Sequence, residues 1–502
     1  MCAMPKTFNV RSVSRAAGWA SFAALISALL AALLPLAASA AANEPVPCRL
    51  RGIEHEALCG SLQRALDPAR PQGVQIRLHY AVLPALARNK RPDPVVFFAG
   101  GPGQSAIDIA PQVAAMLARF SNRRDIVLID QRGTGRSAPL LCDPDDPSRP
   151  LAELFSFERQ RERLAACLTA LKALPYGDLR FFTTTLAMQD ADAVRAALGA
   201  ERVNVVGASY GTRAALEYQR LFPERVRRAV IDGVAPADMV LPASFSTDNQ
   251  AALDTLFAAC EADAACVSRE PQLRERWRSW LASLPRAVSL RHPLTDRTER
   301  LTLTRDMMLG LVRGPLYVPT LSAALPAAIG QATQGRLDAL AALAQSLGGR
   351  RGLSMAAGMH FSVVCAEDLP RLAASIDQAG SDFGDTFAAQ YRETCAAWPR
   401  GAVEAAFYTL PPAPAATLVL SGGIDPVTPP RHGERVTQAL GAKARHVVVA
   451  NAGHGVMALG CMRDVLFRFV DAPSDDEALK VETGCAKAIP RPPMFALPGA
   501  TK

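Results

Sequence analysis

A serine flanked by glycines stands where the sequence changes from a strand pattern to a helix pattern. The pentapeptide GASYG, residues 207–211, fits G-x-S-x-G, with the apolar run VNVV before it and the helical run TRAALEYQRLF after it. This context predicts a tight strand–turn–helix that exposes the serine hydroxyl, and glycines are needed because side chains would collide with the adjoining strand and helix. No other serine in the sequence is flanked in this way. We therefore predict that Ser209 is a nucleophile.

Such a nucleophile needs a base and an acid from elsewhere in the chain, because a serine hydroxyl reacts poorly until its proton is accepted. Of the seven histidines, only His454 follows a strand pattern in a glycine-rich loop, NAGHG. Asp425 follows the strand pattern TLVLSGGI, which gives the order serine, aspartate, histidine. Asp232, at the end of the strand after the serine's helix, is the alternative acid, although a turn or helix cap would also explain it. The predicted triad is Ser209, Asp425 and His454.

A glycine-rich turn can supply donors for the negative oxygen that develops during acyl transfer. The turn GGPG, residues 100–103, directly follows a buried strand pattern at Val95–Ala99. Without side chains, its backbone can approach a substrate closely, whereas an ordinary turn is the alternative explanation. We predict that the N–H groups of Gly101 and of Tyr210, the residue after the serine, form this oxyanion hole.

Strand and helix patterns alternate on both sides of a long segment of different character. Residues 94–234 repeat strand, turn and helix, and the same scheme returns from residue 417. This alternation predicts an α/β fold with a mostly parallel, doubly wound sheet. Between the two parts, helical stretches rich in Ala, Leu and Arg dominate and short buried strand runs disappear. We therefore predict a core formed by residues 43–235 and 410–502, with a large inserted helical cap at 236–409.

The first 42 residues have the layout of a secretory signal peptide. Lys6, Arg11 and Arg15 precede a long apolar stretch, and small residues with A-x-A character follow it. An uncleaved membrane anchor is the alternative, because the stretch is long enough to span a bilayer, but Pro35 and the small residues favour cleavage. We predict a periplasmic or secreted protein without stable membrane association after cleavage.

Cysteine usage agrees with export. Of the eleven cysteines, Cys2 lies in the predicted signal peptide, which leaves an even number in the mature chain. An even count in an exported protein indicates disulfides. The sequence contains no Cys-x-x-Cys motif and no pair of histidines at the spacing of metal ligands, so we predict no metal site. The simplest scheme pairs neighbours along the chain: 48–59, 142–167, 260–266, 365–395 and 461–485.

The overall composition excludes some classes of function. Apolar residues make up 49% of the chain and charged residues 20%, which is typical of a globular protein. The formal charge is +8, but basic residues are interleaved with acidic ones and form no basic run with interspersed aromatics. We therefore predict no nucleic-acid partner. The composition makes no prediction about the oligomeric state.

Five segments together resemble one known family. GGPGQS, DQRGTGRS, GASYGTRAALEYQRLFPERV, SGGIDPVTP and NAGHGV are similar to the proline iminopeptidase and tripeptidyl aminopeptidase family of α/β-hydrolases, over about Pro94–Val234 and Ala415–Met457. The resemblance implies an α/β-hydrolase fold with a helical cap, no cofactor, and release of residues or short peptides from a free N-terminus. It also implies the same triad and oxyanion donors. One departure is Ala99, where the family often has histidine before the glycines.

Members of this family recognise the substrate's ammonium group with cap carboxylates. By this resemblance, Glu367 and Asp368 in the cap are candidates for binding the substrate N-terminus. A solvated or helix-capping acid pair is the alternative.

Two other functions remain open at this level. An esterase or lipase-like hydrolase could use the same scaffold, because fold and triad do not dictate the acyl group. A non-catalytic binding protein is disfavoured because all three triad residues and the glycine turns are present.

Overall fold

The computed structural model of the protein describes residues 44–143, 146–348 and 355–494. The predicted signal peptide, residues 1–42, lies outside the described residues. The described part contains a large sheet, helices on both of its faces, and a second region inserted between two of its strands.

The strands are β1 Val46–Cys48, β2 Ala57–Ala65, β3 Gln75–Leu83, β4 Val95–Phe98, β5 Ile126–Ile129, β6 Val203–Ala208, β7 Val226–Asp232, β8 Arg286–Arg291, β9 Thr298–Leu303, β10 Thr417–Gly422 and β11 Ala444–Val449. The helices are α1 Ala110–Met116, α2 Leu151–Leu154, α3 Phe157–Lys172, α4 Thr184–Ala197, α5 Tyr210–Leu221, α6 Leu241–Glu261, α7 Ala264–Arg269, α8 Leu273–Ala282, α9 Arg305–Leu316, α10 Pro319–Ser322, α11 Leu325–Ala332, α12 Asp338–Gly348, α13 Ala357–Glu367, α14 Thr386–Cys395, α15 Pro430–Leu440, α16 Met462–Asp471 and α17 Asp475–Leu479. Among these described helices, none has the length and apolar character needed to cross a bilayer.

Nine strands form the main sheet in the order β1-β2-β3-β5-β4-β6-β7-β10-β11. The six strands from β5 to β11 in this order pair in parallel, which confirms the mostly parallel sheet. Successive side chains of β4 point to opposite faces. Val95 and Phe97 pack with residues of α1 and α16, whereas Val96 and Phe98 pack with residues of α4, α5 and α15. Helices therefore cover both faces, as expected for strands made of continuous apolar runs.

The other edge of the sheet is antiparallel. Strand β3 pairs with β2 and β5 in antiparallel register. The sequence analysis predicted no strand at the position of β2. Most of its side chains are only partly buried, and Gly60 lies against the ring of Tyr80, so its apolar alternation is weak.

The region between β7 and β10, which we call the cap, is mainly helical and contains α6 to α14. Its apolar centre includes Leu256, Trp277, Leu309 and Val312. The cap also contains the hairpin β8–β9, which the sequence did not predict. The first of these strands, RAVSLR, has a single buried residue, so it lacks the apolar run by which buried strands are recognised.

A segment before the serine also packs with the cap. Leu151 of α2 belongs to the apolar cluster of the cap, and partly buried Phe155 and Phe157 pack against it. The backbone N–H of Leu151 donates to a carboxylate oxygen of Glu299 in β9, at 2.7 Å. Two separate stretches of chain therefore contribute to the apolar cluster of the cap.

All five predicted disulfides are confirmed: 48–59, 142–167, 260–266, 365–395 and 461–485. Their Cα–Cα distances lie between 5.2 and 6.5 Å, within the usual range for disulfides. The 365–395 bridge joins α13 to α14 within the cap. Within the described ranges, no group of three or more His, Cys, Asp and Glu side chains is placed to hold a metal ion.

Candidate active site

Ser209 occupies a sharp turn between β6 and α5. Its backbone has φ 56° and ψ −124°, a conformation that L-residues rarely adopt, and its N–H donates to the carbonyl oxygen of Asp232 at 2.9 Å. A Cβ atom on Gly207 would lie 2.2 Å from the carbonyl oxygen of Gly211, and one on Gly211 would lie 2.0 Å from that of Phe98. Both neighbouring atoms are backbone and cannot move aside, so both glycines are required. Strain of this kind costs about 1–3 kcal/mol and marks functional sites.

Asp425 and His454 are in direct contact. The Nδ1 atom of His454 lies 2.8 Å from Oδ2 of Asp425, in loops that follow β10 and β11. The other carboxylate oxygen of Asp425 accepts hydrogen bonds from the N–H groups of Val427 and Thr428, each at 2.9 Å. The carboxylate is fully buried, and these bonds fix its plane. This pair is suited to hold the imidazole with Nδ1 protonated and Nε2 available as a base.

The electrostatics of the pair favour an anionic acid and a basic imidazole. Burial alone would raise the pKa of Asp425, but the charge of His454 and the hydrogen bonds lower it overall. Burial alone would lower the pKa of His454, but the charge and hydrogen bond of Asp425 raise it overall, with a further contribution from Asp232. His454 is therefore a stronger base than a free histidine.

Thr428 is a contributor that the sequence analysis missed. Its hydroxyl donates to Oδ2 of Asp425 at 2.7 Å and lies 3.0 Å from Nδ1 of His454. It therefore bridges the two members of the pair. The signal in the sequence was the segment DPVT, because an aspartate often accepts bonds from residues two and three positions later, and a threonine there is brought back to the carboxylate.

Asp232, the alternative acid, has a different set of contacts. Its Oδ2 atom accepts the N–H groups of Val456 and Met457, at 2.7 and 2.8 Å, so it anchors the loop that follows His454. Burial raises the pKa of Asp232 to about 6. Of the two acids considered, Asp425 is the one that hydrogen-bonds His454.

The glycine-rich turn at 100–103 lies beside Ser209. A Cβ atom on Gly100 would lie 3.2 Å from Cβ of Ser209, and Gly101 has φ +115°, which favours glycine. Ser209 also stands at the N-terminus of α5, where the helix dipole and free N–H groups stabilise negative charge. Gly101 and Tyr210, the two predicted donors, line the same cavity as Ser209.

Residues of the cap hold this turn in place. The N–H of Ala356 donates to the carbonyl oxygen of Gly103 at 2.9 Å. The Nδ1 atom of His360 lies 3.3 Å from the carbonyl oxygen of Pro102. The other ring nitrogen of His360 accepts from the hydroxyl of Tyr391 at 2.8 Å. Burial lowers the pKa of His360 to about 4, so its ring is neutral and donates from Nδ1.

The proposed site opens into a cavity of about 1070 Å³, which we call the active-site cavity. It lies between the cap and the carboxyl-terminal ends of the parallel strands, which we call the sheet edge. Its volume is slightly above the usual range of roughly 300–1,000 Å³ for small-molecule sites. Its wall includes Gly100, Gly101, Ser209, Tyr210 and His454 from the sheet edge, Gln160 and Leu164 from α3, and Phe245, Arg313, Tyr317, His360 and Tyr391 from the cap.

Glu367 and Asp368 are not among the described residues that form the wall of this cavity. Both are buried and face the guanidinium of Arg213 in α5, which contacts Glu367 at 3.3 Å and both oxygens of Asp368 at 3.0 Å. Glu367 also accepts the N–H and hydroxyl of Thr184, at 2.7 and 2.9 Å. Burial raises the pKa of Glu367 to about 7. The structure therefore places these acids outside the wall of the active-site cavity, where they join the cap to the helix that follows Ser209.

Two family models match the chain. Residues 93–287 match the model described as alpha/beta hydrolase fold, and residues 380–481 match the one described as TAP-like protein. The first match contains the serine turn, and the second contains the aspartate–histidine pair. The predicted resemblance is therefore confirmed in both halves of the core.

Relatives agree with these models. A tripeptidyl aminopeptidase of Streptomyces coelicolor is 33% identical over 35% of this chain and 35% of its own length. The serine protease Hip1 of Mycobacterium tuberculosis is 29% identical over 65% of this chain and 68% of its own. A proline iminopeptidase of Neisseria meningitidis is 30% identical over 28% and 32%, respectively. This chain thus spans about a third of the length of the tripeptidyl aminopeptidase that it matches. With its mostly parallel sheet, serine turn and paired acid and histidine, the chain has the α/β-hydrolase fold, and it is similar to proteins named as peptidases of that fold.

Proposed function

We propose that the protein is an exported serine hydrolase that releases N-terminal residues or short peptides from peptide substrates. The contact between Asp425 and His454, beside the cavity into which Ser209 opens, is the observation that carries this proposal. No cofactor takes part in it.

The proposed reaction proceeds through an acyl-enzyme. His454 accepts the hydroxyl proton of Ser209 while the serine oxygen forms a bond to the carbonyl carbon of the substrate. The N–H groups of Gly101 and Tyr210 stabilise the resulting oxyanion. His454 then gives its proton to the leaving amine as the C–N bond breaks. Water then attacks the carbonyl carbon of the acyl-enzyme while His454 accepts a proton from it. The C–O bond to Ser209 breaks, and His454 returns the proton to the serine oxygen, so that the acyl part leaves as a carboxylic acid.

Asp425 and Thr428 support the histidine in this scheme. The anionic carboxylate stabilises the imidazolium that forms in each half of the reaction, and it keeps the ring in one tautomer. The hydroxyl of Thr428 orients the carboxylate and does not touch the substrate, so we assign it a positioning role.

A peptide substrate is supported by the relatives, which are named tripeptidyl aminopeptidase, serine protease and proline iminopeptidase. The cavity has room for a short peptide and not only for a single residue. Recognition of the free N-terminus by Glu367 and Asp368 would require both carboxylates to leave Arg213. Among the described residues of the cavity wall, the carboxylates are Asp143 and Asp232.

Export is supported by the five disulfides of the described residues, because disulfides persist in oxidising compartments. Fractionation of the producing cells, with detection of the N-terminus by mass spectrometry, tests this part of the proposal. A mature protein that begins near residue 43 outside the cytoplasm is the expected result, and a reduced cytoplasmic form would contradict it.

A substrate panel tests the activity. Aminoacyl, dipeptidyl and tripeptidyl anilides, each with a free and an acetylated N-terminus, should be compared with simple acyl esters. We expect turnover of the free-N-terminal peptides and loss of all activity in S209A. Turnover of the esters alone would replace the peptidase by an esterase, and equal turnover of free and acetylated peptides would remove the preference for an N-terminus.

A further inference from the structure

Arg313 is a charged residue of the active-site cavity that the proposed mechanism does not use. It lies on α9 and lines the cavity together with Tyr317, just after the same helix. Its guanidinium carbon stands 4.6 Å from the ring centre of Phe245 and 4.9 Å from that of Phe387. These rings come from α6 and α14, so three cap helices fix the position of the charge.

Aromatic rings leave the edges of a stacked guanidinium able to donate hydrogen bonds. A guanidinium has five N–H donors, and in Arg313 Nη2 donates to the hydroxyl of Tyr317 at 3.3 Å. Its Nε atom is buried without an acceptor. None of the ion pairs among the described residues includes Arg313. The guanidinium is therefore held in the wall of the cavity without a counter-ion.

Arg213 provides a contrast on the same wall. Its guanidinium is neutralised by the buried carboxylates of Glu367 and Asp368, and it also donates to backbone carbonyls. Arg213 thus completes a structural cluster, whereas Arg313 leaves its charge open to whatever enters the cavity. Of the two acids of the wall, Asp143 is solvent-exposed, whereas Asp232 is buried and accepts two backbone N–H groups at Oδ2 while its Oδ1 atom has no partner. Neither carboxylate forms an ion pair with Arg313.

The position of Arg313 relates it to the reacting groups. Tyr317, which accepts its hydrogen bond, packs its ring edge-on to His454 with 5.4 Å between ring centres. The carbonyl oxygen of Tyr317 accepts the N–H of His454 at 3.0 Å. A substrate bound at Ser209 and His454 is therefore close to this cation.

We propose that Arg313 binds a carboxylate of the substrate and makes the enzyme selective for acidic substrates. This inference rests on the proposed function for the reaction itself, and it deepens that function by naming a substrate class. The carboxylate has two sources, an acidic side chain or the free C-terminus of a short peptide, and both offer the planar group that a guanidinium pairs with in two parallel hydrogen bonds.

Matched substrate pairs that differ only in one charge test the proposal. Ala-Ala-Glu-p-nitroanilide against its Gln analogue tests the side chain, and Ala-Ala-Ala-Gly against its C-terminal amide tests the free terminus. We expect wild-type kcat/KM to favour the acid by roughly tenfold to a hundredfold in at least one pair. The pair that shows the preference identifies the source of the carboxylate.

The R313Q variant should lower that preference to about one while kcat/KM for the neutral member stays within a few-fold of wild type. R313K, which keeps the charge without the planar fork, should retain part of it. The matched control is R286Q, because Arg286 also stacks on a ring, Trp280 at 5.0 Å, but does not line the cavity. R286Q should leave every ratio unchanged. Equal losses for acid and amide in R313Q would show that Arg313 only supports the cap, and would overturn the proposal.

An ester pair separates failure of this inference from failure of the peptidase function. The p-nitrophenyl monoester of glutaric acid and its methyl ester need only a serine hydrolase. A preference for the acid in this pair, without peptide turnover, would support the carboxylate site and reject the peptidase. Peptide turnover without any charge preference would support the peptidase and reject the carboxylate site. If R313Q does not fold, inhibition of wild-type hydrolysis of a neutral ester decides, because glutarate should inhibit more strongly than glutaramide, and equal inhibition would reject the site.

Discussion

The sheet edge and the cap both supply walls of the active-site cavity, but they hold their side chains in different ways. On the sheet edge, backbone groups fix the key residues, as when the N–H of Ser209 donates to the carbonyl of Asp232 and two N–H groups fix the carboxylate of Asp425. In the cap, Arg313 is placed by the faces of aromatic rings from other helices. The proposed reacting groups are thus tied to the main chain, while the proposed carboxylate-binding group of the cap depends on side-chain packing. Selectivity can therefore change by substitution without loss of the chemistry.

The largest effect on the sheet edge is expected from the acid of the pair. D425N should lower kcat by roughly 10⁴-fold, because an asparagine no longer stabilises the imidazolium or selects its tautomer. D232N is the matched control, since Asp232 bonds backbone N–H groups of the histidine loop, and it should change kcat by less than tenfold. Steady-state kinetics on one substrate compares them. A larger loss in D232N than in D425N would exchange the roles of the two acids.

The joint between cap and core should show the next largest effect, in stability. D368N removes the negative charge of a carboxylate whose two oxygens accept from the two terminal nitrogens of Arg213. It should lower the free energy of unfolding by about 3–5 kcal/mol, the usual result of breaking a buried ion pair. Urea denaturation measures this. D385N, which removes one partner of the exposed pair between Asp385 and Arg392, is the control and should have little effect.

The same D368N protein also tests the role that the sequence assigned to the acid. Its preference for free over acetylated N-termini should match that of wild type, because Asp368 does not line the cavity. A preference lost without loss of stability would restore Asp368 as a ligand of the substrate ammonium.

A smaller effect is expected from the bridge between acid and base. T428V removes the hydroxyl that binds Asp425 and should lower kcat by about tenfold, equivalent to one hydrogen bond to a charged group. T428S should recover most of this loss, because it restores the hydroxyl. The pH profile separates a positioning role from a merely structural one, since only the former shifts the pKa seen on the acid side.

The smallest effect concerns the pH dependence itself. His454 acts as a base only when neutral, and its pKa is raised above the ordinary value of 6.5, so kcat/KM should rise with pH through a pKa above 6.5. The negative charge of the Asp232 carboxylate contributes to the raised pKa of His454. D232N should therefore move the acid limb to lower pH, by less than one unit, and raise the relative activity near pH 6. A shift to higher pH would contradict this sign.

What the sequence could predict follows the same division. Ser209, Asp425 and His454 stand at the ends of apolar strand runs, and local backbone geometry requires the glycines around them, so a short window of sequence carries the signal. The disulfides between near neighbours were also predictable, as the confirmed pairs show. Strand β2 was missed because its partly buried residues give no regular alternation.

The residues that the sequence could not place depend on contacts between distant segments. Arg313 gains its position from helices that are separate in sequence, and nothing in its neighbourhood distinguishes it from other cap arginines. Glu367 and Asp368 are recognisable in the sequence as an acidic pair, but their partner, Arg213, lies 154 and 155 positions away on the helix after the serine. Only the fold reveals which cation neutralises them.

The bonds from Ala356 and His360 to the glycine-rich turn have a consequence for exchanging parts of this enzyme. A protein engineer who grafted a foreign cap onto this core would import a new substrate preference, but would also delete two donors that hold the turn beside Ser209. The transplanted hybrid would then have to regain its turnover before its new preference could be measured. In this scaffold the cap is not an interchangeable module, because its innermost residues are part of the catalytic framework that it covers.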